Sequence, residues 1–317
     1  MTAIVAWGRW LPRARLGNDA IREATGIEPS DGISSRTVAH ADEDALTMAA
    51  AAVNDLLERT DHSRGEIHGV HLGTTTPPTQ IGDLTAELVE MCHLEDVKFL
   101  TTATRSARAG TAAILSASHG PLPAIAVVSD AIRAAPLSEL GLAAGAGACA
   151  LLLAQEGPVR ITETTTVTQP HPGYRVQSPE NPERSRYGAT EFERMGYTQT
   201  VERALQSVTN EPGTIVPTAP NGKHPARLET GAPQREVIHT AQEFGDTGAA
   251  SAGLGVLRAW EQGVENLICV GVGAGTIADA IVLEGALDVE APPIGEEISF
   301  VRALQLRGQL SSQGIKH

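Results

Sequence analysis

The sequence predicts an α/β fold in which one structural unit occurs twice. The unit is a helix, an apolar strand, a polar segment, a helix rich in small residues and a second apolar strand. Helical spacing of apolar residues marks the first helix of each copy, and apolar runs of strand length follow it. The first copy occupies residues 42–60, 67–73, 74–80, 109–118 and 123–131, and the second copy occupies residues 197–208, 213–218, 219–225, 247–263 and 266–275.

The strand runs are apolar throughout, which is typical of parallel-type sheets covered by helices on both faces. The helices at 109–118 and 247–263 are rich in Ala, Gly and Ser, and small side chains let two helices approach closely at the centre of a molecule. Two units around two such helices give a five-layer αβαβα sandwich. A single doubly wound sheet with a fortuitous internal similarity is the alternative. We divide the chain into an N-terminal half (1–157), a C-terminal half (158–288) and a tail (289–317).

The composition is that of a globular protein with an acidic surface. The 317 residues are 41% hydrophobic and 20% charged, and the formal net charge is −14. Because nucleic-acid binding needs a basic surface, this charge argues against nucleic acid as the main partner. Aromatic residues make up only 3% of the chain, so we expect a core of Ala, Val, Leu and Ile.

The three cysteines, Cys92, Cys149 and Cys269, lie far apart and form no CxxC pair. Neither a disulfide framework nor a zinc site is therefore expected. No apolar run reaches membrane-spanning length, and the N-terminus lacks the pattern of a signal peptide. We expect a cytoplasmic protein that has no membrane partner.

Six stretches of the chain carry a family resemblance: "GISSRTVAHADEDALTMAAAA", "SARAGTAAI", "RYGATEFERMGY", "PNGKHP", "FGDTGAASAGLG" and "GVGAG". Together they resemble the thiolase superfamily, and within it the 3-hydroxy-3-methylglutaryl-CoA synthase branch, near the ketoacyl synthase III type. The resemblance depends on their order and spacing. It implies a thiolase-like fold, a duplicated five-layer αβαβα sandwich.

The family's chemistry uses four side chains. A cysteine at the start of the first small-residue helix takes the acyl group from CoA as a thioester. A histidine near the second polar segment polarises the second substrate, an asparagine at the start of the second small-residue helix fixes the geometry, and a glutamate in the first polar segment supplies acid–base catalysis. The resemblance places other residues at these four positions: Ala107, Thr218, Asp246 and Thr75. Because alanine cannot form a thioester, ordinary Claisen condensation is not expected.

Ser106 is the alternative nucleophile, one residue before Ala107. A shift of one residue turns a helical side chain by about 100°, and a serine hydroxyl needs a base to become nucleophilic. The resemblance places Thr218 where the histidine would stand. For chemistry without a cysteine, Asp246 is therefore the favoured base, assisted by Thr218, Thr75 or Ser106.

The resemblance also implies contacts to a CoA thioester. Asn221 and Lys223 form the "PNGK" turn, which borders the CoA entry tunnel in the family; an exposed turn lysine is the alternative. Arg184 and Arg186 could meet nucleotide phosphates or form a solvated helix face. The resemblance places Gly273 at the floor of the active site. No covalently bound cofactor is expected.

The tail differs in character from the two halves. The linker "EAPPIGEE" precedes "ISFVRALQLRGQL", whose apolar and basic residues predict a short amphipathic docking segment. The sequence leaves open whether this segment docks on its own chain or on a partner.

Two classes of function follow from these observations. In the first, the chain is a catalytically silent thiolase-fold subunit of a complex that handles acyl-CoA. In the second, it is an enzyme of altered chemistry that catalyses acyl transfer or aldol or retro-aldol cleavage on a CoA thioester. We expect a homo- or heterodimer with a thiolase-fold homologue, paired along residues 123–131 and their neighbours. An OB-fold/zinc-ribbon protein is a further expected partner.

Overall fold

The computed structural model describes residues 2–29, 31–79, 82–169, 175–176, 185–186, 188, 190–209, 213–231 and 235–310. The first half forms, in order, β1 (Thr2–Trp10), β2 (Ala14–Gly17), α1 (Asn18–Thr25), β3 (Ser35–Val38), α2 (Ala45–Glu58), β4 (Gly69–Gly73), α3 (Leu84–Met91), β5 (Phe99–Ala103), α4 (Ala109–His119), β6 (Ala124–Ala131), α5 (Glu139–Ala143) and β7 (Ala146–Ala154). A short 3-10 turn, Arg64–Glu66, precedes β4.

The second half repeats the main elements and adds the tail. It forms β8 (Val159–Thr168), β9 (Arg175–Val176), β10 (Ser185–Arg186), α6 (Thr190–Leu205), β11 (Thr214–Pro217), α7 (Lys223–Gly231), β12 (Glu236–Val237), α8 (Ala241–Phe244), α9 (Ala250–Glu261), β13 (Asn266–Gly273), β14 (Ile277–Glu284), β15 (Glu296–Glu297) and α10 (Phe300–Leu306).

The two halves share one continuous sheet whose strand order reflects the duplication. The order is β12-β11-β13-β14-β8-β1-β7-β6-β4-β5, so each half contributes five strands in matching order, counted outward from the β1–β8 contact. There β1 and β8 pair antiparallel, with Thr2 opposite Ile161. The internal repeat predicted from the sequence is therefore a repeat of structure.

The expectation of parallel-type sheets holds for only part of each half. Strands β5, β4 and β6 are parallel, as are β12, β11 and β13. The remaining neighbours are antiparallel, including β13 with β14. The turn between those two strands is too short for the crossover that a parallel pair needs, which an apolar pattern alone does not reveal.

The five layers expected from the sequence are present. One core cluster joins α2 and α3 to the strands of the first half, and another joins α6 and α7 to those of the second half. The cluster between them contains α4 and α9, which pack against strands of both halves. The layers are thus helices, the strands of the first half, two central helices, the strands of the second half and helices, with the two strand layers joined in one sheet through β1 and β8.

The central helices touch because small residues stand at their crossing. A Cβ atom added to Gly110 in α4 would lie 2.1 Å from the carbonyl oxygen of Ala249 at the start of α9. At Gly271 in β13, an added Cβ would clash with the Thr111 hydroxyl oxygen at 1.9 Å. The small-residue pattern of the sequence is therefore a packing requirement at the middle layer.

The tail packs on its own chain, which answers the question that the sequence left open. Phe300, Ala303 and Leu306 join a cluster with residues of β2, α1, β3 and α5. Strand β15 pairs with β2, and the Arg307 guanidinium donates to the carbonyls of Gly141 and Ala144. Residues 311–317 lie outside the described residues.

A dimer edge is expected from the sequence at residues 123–131, but the strand at these residues is not at the edge of the sheet. Strand β6, within residues 123–131, lies between β4 and β7 and has no free edge. The outer strand of the first half is β5, on which Phe99 and Leu100 are 43% and 36% exposed. The most apolar strand is central because it needs cover on both sides, so its hydrophobicity marks burial rather than an interface.

Within the described residues, no helix has the length and apolar character needed to cross a membrane.

Gly110→Ala is expected to destabilise the fold by about 1–3 kcal/mol, the usual effect of overpacking a filled core. The added methyl group would meet backbone of the partner helix rather than a mobile side chain. Urea denaturation measures the change. The matched control is Gly65→Ala, whose Cβ meets nothing nearer than Asp96 Oδ2 at 4.0 Å. Equal stability of the two variants would contradict the close crossing of α4 and α9.

Phe300→Ala is expected to cost about 3 kcal/mol and to lower the melting temperature, because it leaves a cavity under α10. Val301, its neighbour on the same helix, is 51% exposed, so Val301→Ala should change stability little. Thermal unfolding of both variants tests whether the tail is part of the core. An unchanged melting temperature for Phe300→Ala would show that it is not.

Candidate functional site

A cavity of about 1330 Å³ lies where the polar segments of both halves meet the start of α4. Its lining includes the four positions that the resemblance aligns with the family's catalytic side chains, together with the alternative nucleophile. These residues are Thr75, Ala107, Thr218, Asp246 and Ser106. These residues come from four separate stretches of chain, so the structure brings together what the resemblance only placed in order. Their catalytic roles stay predictions.

The backbone is strained in the segment just before α4. Arg105 has a φ of +80°, a left-handed conformation that side chains other than glycine rarely adopt. Ser106 and Ala107 follow, and the turn closes where the Ala109 N–H donates to the Ser106 carbonyl at 2.8 Å. Both Ser106 and Ala107 are half-buried. No histidine lines the cavity among the residues that the structure describes, so Ser106 has no imidazole base there.

Arg108, one residue further along, is held by a buried carboxylate. Its Nε lies 2.9 Å from Asp279 Oδ2 in β14. The hydroxyls of Thr111 and Thr166 donate to the same carboxylate at 2.8 and 2.7 Å. This cluster ties the first turn of α4 to the sheet of the second half. Arg108 is the first cationic residue after Ala107 in the sequence, and this ion pair occupies its guanidinium.

The carboxylate that organises the cavity is Asp130, which sequence reasoning missed. It is fully buried near the end of β6. The hydroxyls of Thr74, Thr75 and Thr76 donate to it at 2.7–2.9 Å, as do the N–H groups of Thr75, Thr76 and Ala249 at 2.6–2.9 Å. Asp130 thus fixes the polar segment of the first half against the start of α9. The sequence signal was a lone acid in an apolar strand.

Asp246 is placed by backbone contacts on both sides. Its N–H donates to the Ala143 carbonyl at 2.7 Å, and its carbonyl accepts from the Gly145 N–H at 2.9 Å. Its Oδ1 accepts from the Gly248 N–H at 3.0 Å. The side chain is only 4% exposed, yet it lines the cavity. The geometry thus gives the candidate base a rigid position.

Thr218 lies where β11 ends, and a tyrosine fixes its backbone. The Tyr197 hydroxyl donates to the Thr218 carbonyl at 2.8 Å, and the Tyr197 ring meets His224 edge-on with 5.2 Å between ring centroids. Tyr197 also lines the cavity. It is a second functional candidate that the sequence did not single out, because a helical tyrosine looks like an ordinary core residue.

The predicted CoA contacts do not gather in the cavity. Asn221 Oδ1 accepts from the N–H groups of Lys223 and His224 at 2.9 Å and therefore caps α7. Lys223 is exposed, and neither Asn221 nor Lys223 lines the cavity.

Gly273 adjoins the cavity, since an added Cβ would lie 3.2 Å from Ser106 Oγ. Arg184 lies outside the described residues, and only the backbone of Arg186, in β10, is described.

All three cysteines are buried, and none lines the cavity. Burial raises the pKa of the Cys92 thiol to about 11 and that of Cys269 to about 12, and it raises the pKa of Cys149 as well. A thiol with a raised pKa and no access to solvent is a poor nucleophile. Among the described residues, no group of His, Cys, Asp and Glu side chains could hold a metal ion.

Asp130→Asn is expected to destabilise the protein by about 3 kcal/mol or more, because an amide would direct N–H groups at the N–H and hydroxyl donors that the carboxylate accepts. Urea denaturation measures the loss. Asp288→Asn, at an exposed position, is the control with the same change of charge. If the two variants have similar stability, Asp130 does not hold the cavity wall as described.

Comparison with known proteins gives relatives that share one name, hydroxymethylglutaryl-CoA synthase. No family model matches the chain. Hydroxymethylglutaryl-CoA synthase of Picrophilus torridus is 24% identical over 305 residues, which are 88% of this chain and 86% of that protein. The enzyme of the same name from Caldivirga maquilingensis is 28% identical over 160 residues, 47% of this chain and 46% of that protein.

Solved structures of the same kind superpose on the fold. An HMG-CoA synthase complexed with CoA gives a TM-score of 0.81 at 14% identity, covering 96% of this chain and 90% of that one. The 3-oxoacyl-(acyl carrier protein) synthase III of Pseudomonas aeruginosa PAO1 gives 0.78 at 20% identity, covering 91% and 99%. The chain is thus similar in sequence to hydroxymethylglutaryl-CoA synthases and has the thiolase-like fold of HMG-CoA synthase and 3-oxoacyl-(acyl carrier protein) synthase III.

Proposed function

We propose that this chain is a subunit of an acyl-CoA-handling thiolase or acyltransferase complex and that it does not itself form an acyl-enzyme. One observation carries the proposal: the described lining of the cavity at the start of α4 includes Ala107 and Ser106 but no thiol. The chain has three cysteines, and all of them are buried away from the cavity. A covalent thioester therefore has no sulfur to form on.

The ligand proposed for the cavity is a CoA thioester. Its volume of about 1330 Å³ exceeds the few hundred to 1,000 Å³ of common small-molecule sites, which suits a long ligand. One structural neighbour is an HMG-CoA synthase complexed with CoA, and another is MvaS in complex with 3-hydroxy-3-methylglutaryl coenzyme A. The ligands of these two neighbours support a CoA thioester as the ligand class for this chain.

The proposed partner is a thiolase-fold homologue, either a second copy or a related chain that has a thiol. Strand β5 is an outer strand of the sheet and carries the exposed apolar residues Phe99 and Leu100. An unpaired apolar edge of this kind favours pairing with another chain. Because Leu100 also lines the cavity, a partner on β5 would adjoin the site. An OB-fold/zinc-ribbon protein is proposed as a further component.

A second candidate function is an enzyme of altered chemistry. It is favoured by the meeting of Asp246, Thr218 and Ser106 at one cavity. In this alternative, Asp246 takes a proton from the substrate in acyl transfer or in aldol or retro-aldol cleavage of a CoA thioester. The same experiment separates the two functions.

Incubation with acetyl-CoA is expected to add no acyl mass to the wild-type protein. In contrast, Ala107→Cys is expected to gain one acetyl group, because the start of α4 stabilises a thiolate. The control is Ser116→Cys, on the same helix but outside the cavity lining. Intact-protein and peptide mass spectrometry measure the adducts.

An adduct on wild-type Ser106 would overturn the proposal of a silent subunit. Equal acetylation of the two cysteine variants would show that the cavity does not present the thioester to α4. Turnover of a CoA thioester by the wild type that is lost in Asp246→Asn would favour the second candidate function.

A further inference from the structure

Helix α5 is too short to hold its own geometry. It has five residues, well below the roughly 12–15 at which isolated helices become marginally stable. Its C-terminal carbonyls are held by two arginines from distant parts of the chain. Arg307, directly after α10, donates to the carbonyls of Gly141 and Ala144 at 3.2 and 2.7 Å, and Arg36 in β3 donates to the carbonyl of Leu142. Long-range contacts therefore determine the position of this turn.

The carbonyl that lies among these contacts positions the candidate base. The Asp246 N–H donates to the Ala143 carbonyl at 2.7 Å, and the Gly145 N–H donates to the Asp246 carbonyl at 2.9 Å. Ala144 and Asp246 form an isolated parallel bridge in this way. Because Arg307 holds the carbonyl of Ala144, a single residue connects the tail to the bridge.

A second side chain of the tail holds the other end of the same segment. Gln309 Nε2 donates to the Ala134 carbonyl at 2.6 Å. Arg133, the residue before it, lines the cavity. Arg307 and Gln309 are neighbours in the tail, but their acceptors span residues 134–144. The tail therefore clamps both ends of the segment that follows Arg133.

Apolar contacts anchor the tail without help from a cation. Phe300, Ala303 and Leu306 bury the apolar face of α10 against the core. Desolvation by burial and then the nearby Arg36 guanidinium lower the pKa of Arg307 to about 10, so its charge is held at a cost. Among the described residues, its hydrogen-bond acceptors are neutral carbonyls. A costly contact that the anchor does not need indicates a role at those carbonyls.

From these contacts, and on the basis of the proposed function, we infer that Arg307 is a positioning residue of the cavity. It fixes the bridge between Ala144 and Asp246 and thereby strengthens the binding of a CoA thioester. Arg307 itself is outside the described cavity lining, whereas Asp246 is part of it. A displaced bridge therefore changes the wall that the ligand meets, and a fixed wall lowers the entropy cost of binding.

Amide hydrogen exchange of the full chain tests whether Arg307 fixes the bridge. Arg307→Met keeps an apolar stem and removes the donors. We expect the N–H groups of Asp246 and Gly145 to exchange about tenfold faster, through local opening, while the N–H of Leu72 in the buried strand β4 keeps its rate. Arg307→Lys should restore part of the protection. Equal acceleration at all three N–H groups would show a loss of global stability alone and overturn the inference.

Isothermal titration with acetyl-CoA tests the consequence for the ligand. We expect Arg307→Met to bind acetyl-CoA about tenfold more weakly than the wild type, and Arg307→Lys to recover part of the affinity. Arg302→Met is the matched control, because Arg302 is an exposed residue of the same helix; it should bind like the wild type.

Melting temperatures identify a temperature at which every variant is folded. If Arg307→Met does not fold, Gln309→Ala, which removes the contact at Ala134, takes its place in both measurements with the same expected directions. Equal affinity of the wild type and the tail variant for acetyl-CoA overturns the inference and leaves the proposed function intact. If acetyl-CoA does not bind the wild type, the proposed ligand fails, and selective exchange at Asp246 then still supports Arg307 as a positioning residue.

Discussion

The buried carboxylate of Asp130 is the contact on which the candidate site depends. A fully buried charge is costly unless donors surround it, and here the donors come from the segment Thr74–Thr76 and from Ala249 at the start of α9. These parts belong to different halves of the duplicated fold. One side chain therefore holds the halves in register where the cavity opens. Gly248 must be small there, because an added Cβ would lie 2.0 Å from Asp130 Oδ2.

The close packing of α4 and α9 has a consequence for the site. Gly110 brings the first turn of α4 against the backbone of Ala249, so the starts of both central helices lie side by side. Ala107 precedes one start and Asp246 precedes the other. The same small residues that build the middle layer therefore also bring together the two stretches that carry the candidate chemistry. In this fold the core and the site share one packing constraint.

Much of the fold could be predicted because its signals are local. Helical periodicity, apolar strand runs and small-residue helices each show within a short window, and their repetition predicted the duplication and the five layers. The antiparallel strands, the free edge at β5 and the packing of Phe300 in the tail depend instead on contacts between distant residues, which no short window contains. Asp130 and Tyr197 were missed for the same reason, since the partners Thr75 and Thr218 lie 55 and 21 positions away.

The residues that the sequence selected lie at one cavity, but the cationic side chains of that cavity were not among them. Alignment to a family pattern draws attention to positions where the family has catalytic residues, and it therefore selected Ala107, Thr218, Asp246 and Thr75. It does not select Arg105 and Arg133, the cationic side chains of the described cavity lining. Their significance comes from a comparison that only coordinates allow: among the described residues, every acid of the lining has a donor, and both cations lack an acceptor. A cavity whose described lining holds no thiol can still select a ligand, because recognition depends on charge and shape rather than on a covalent step.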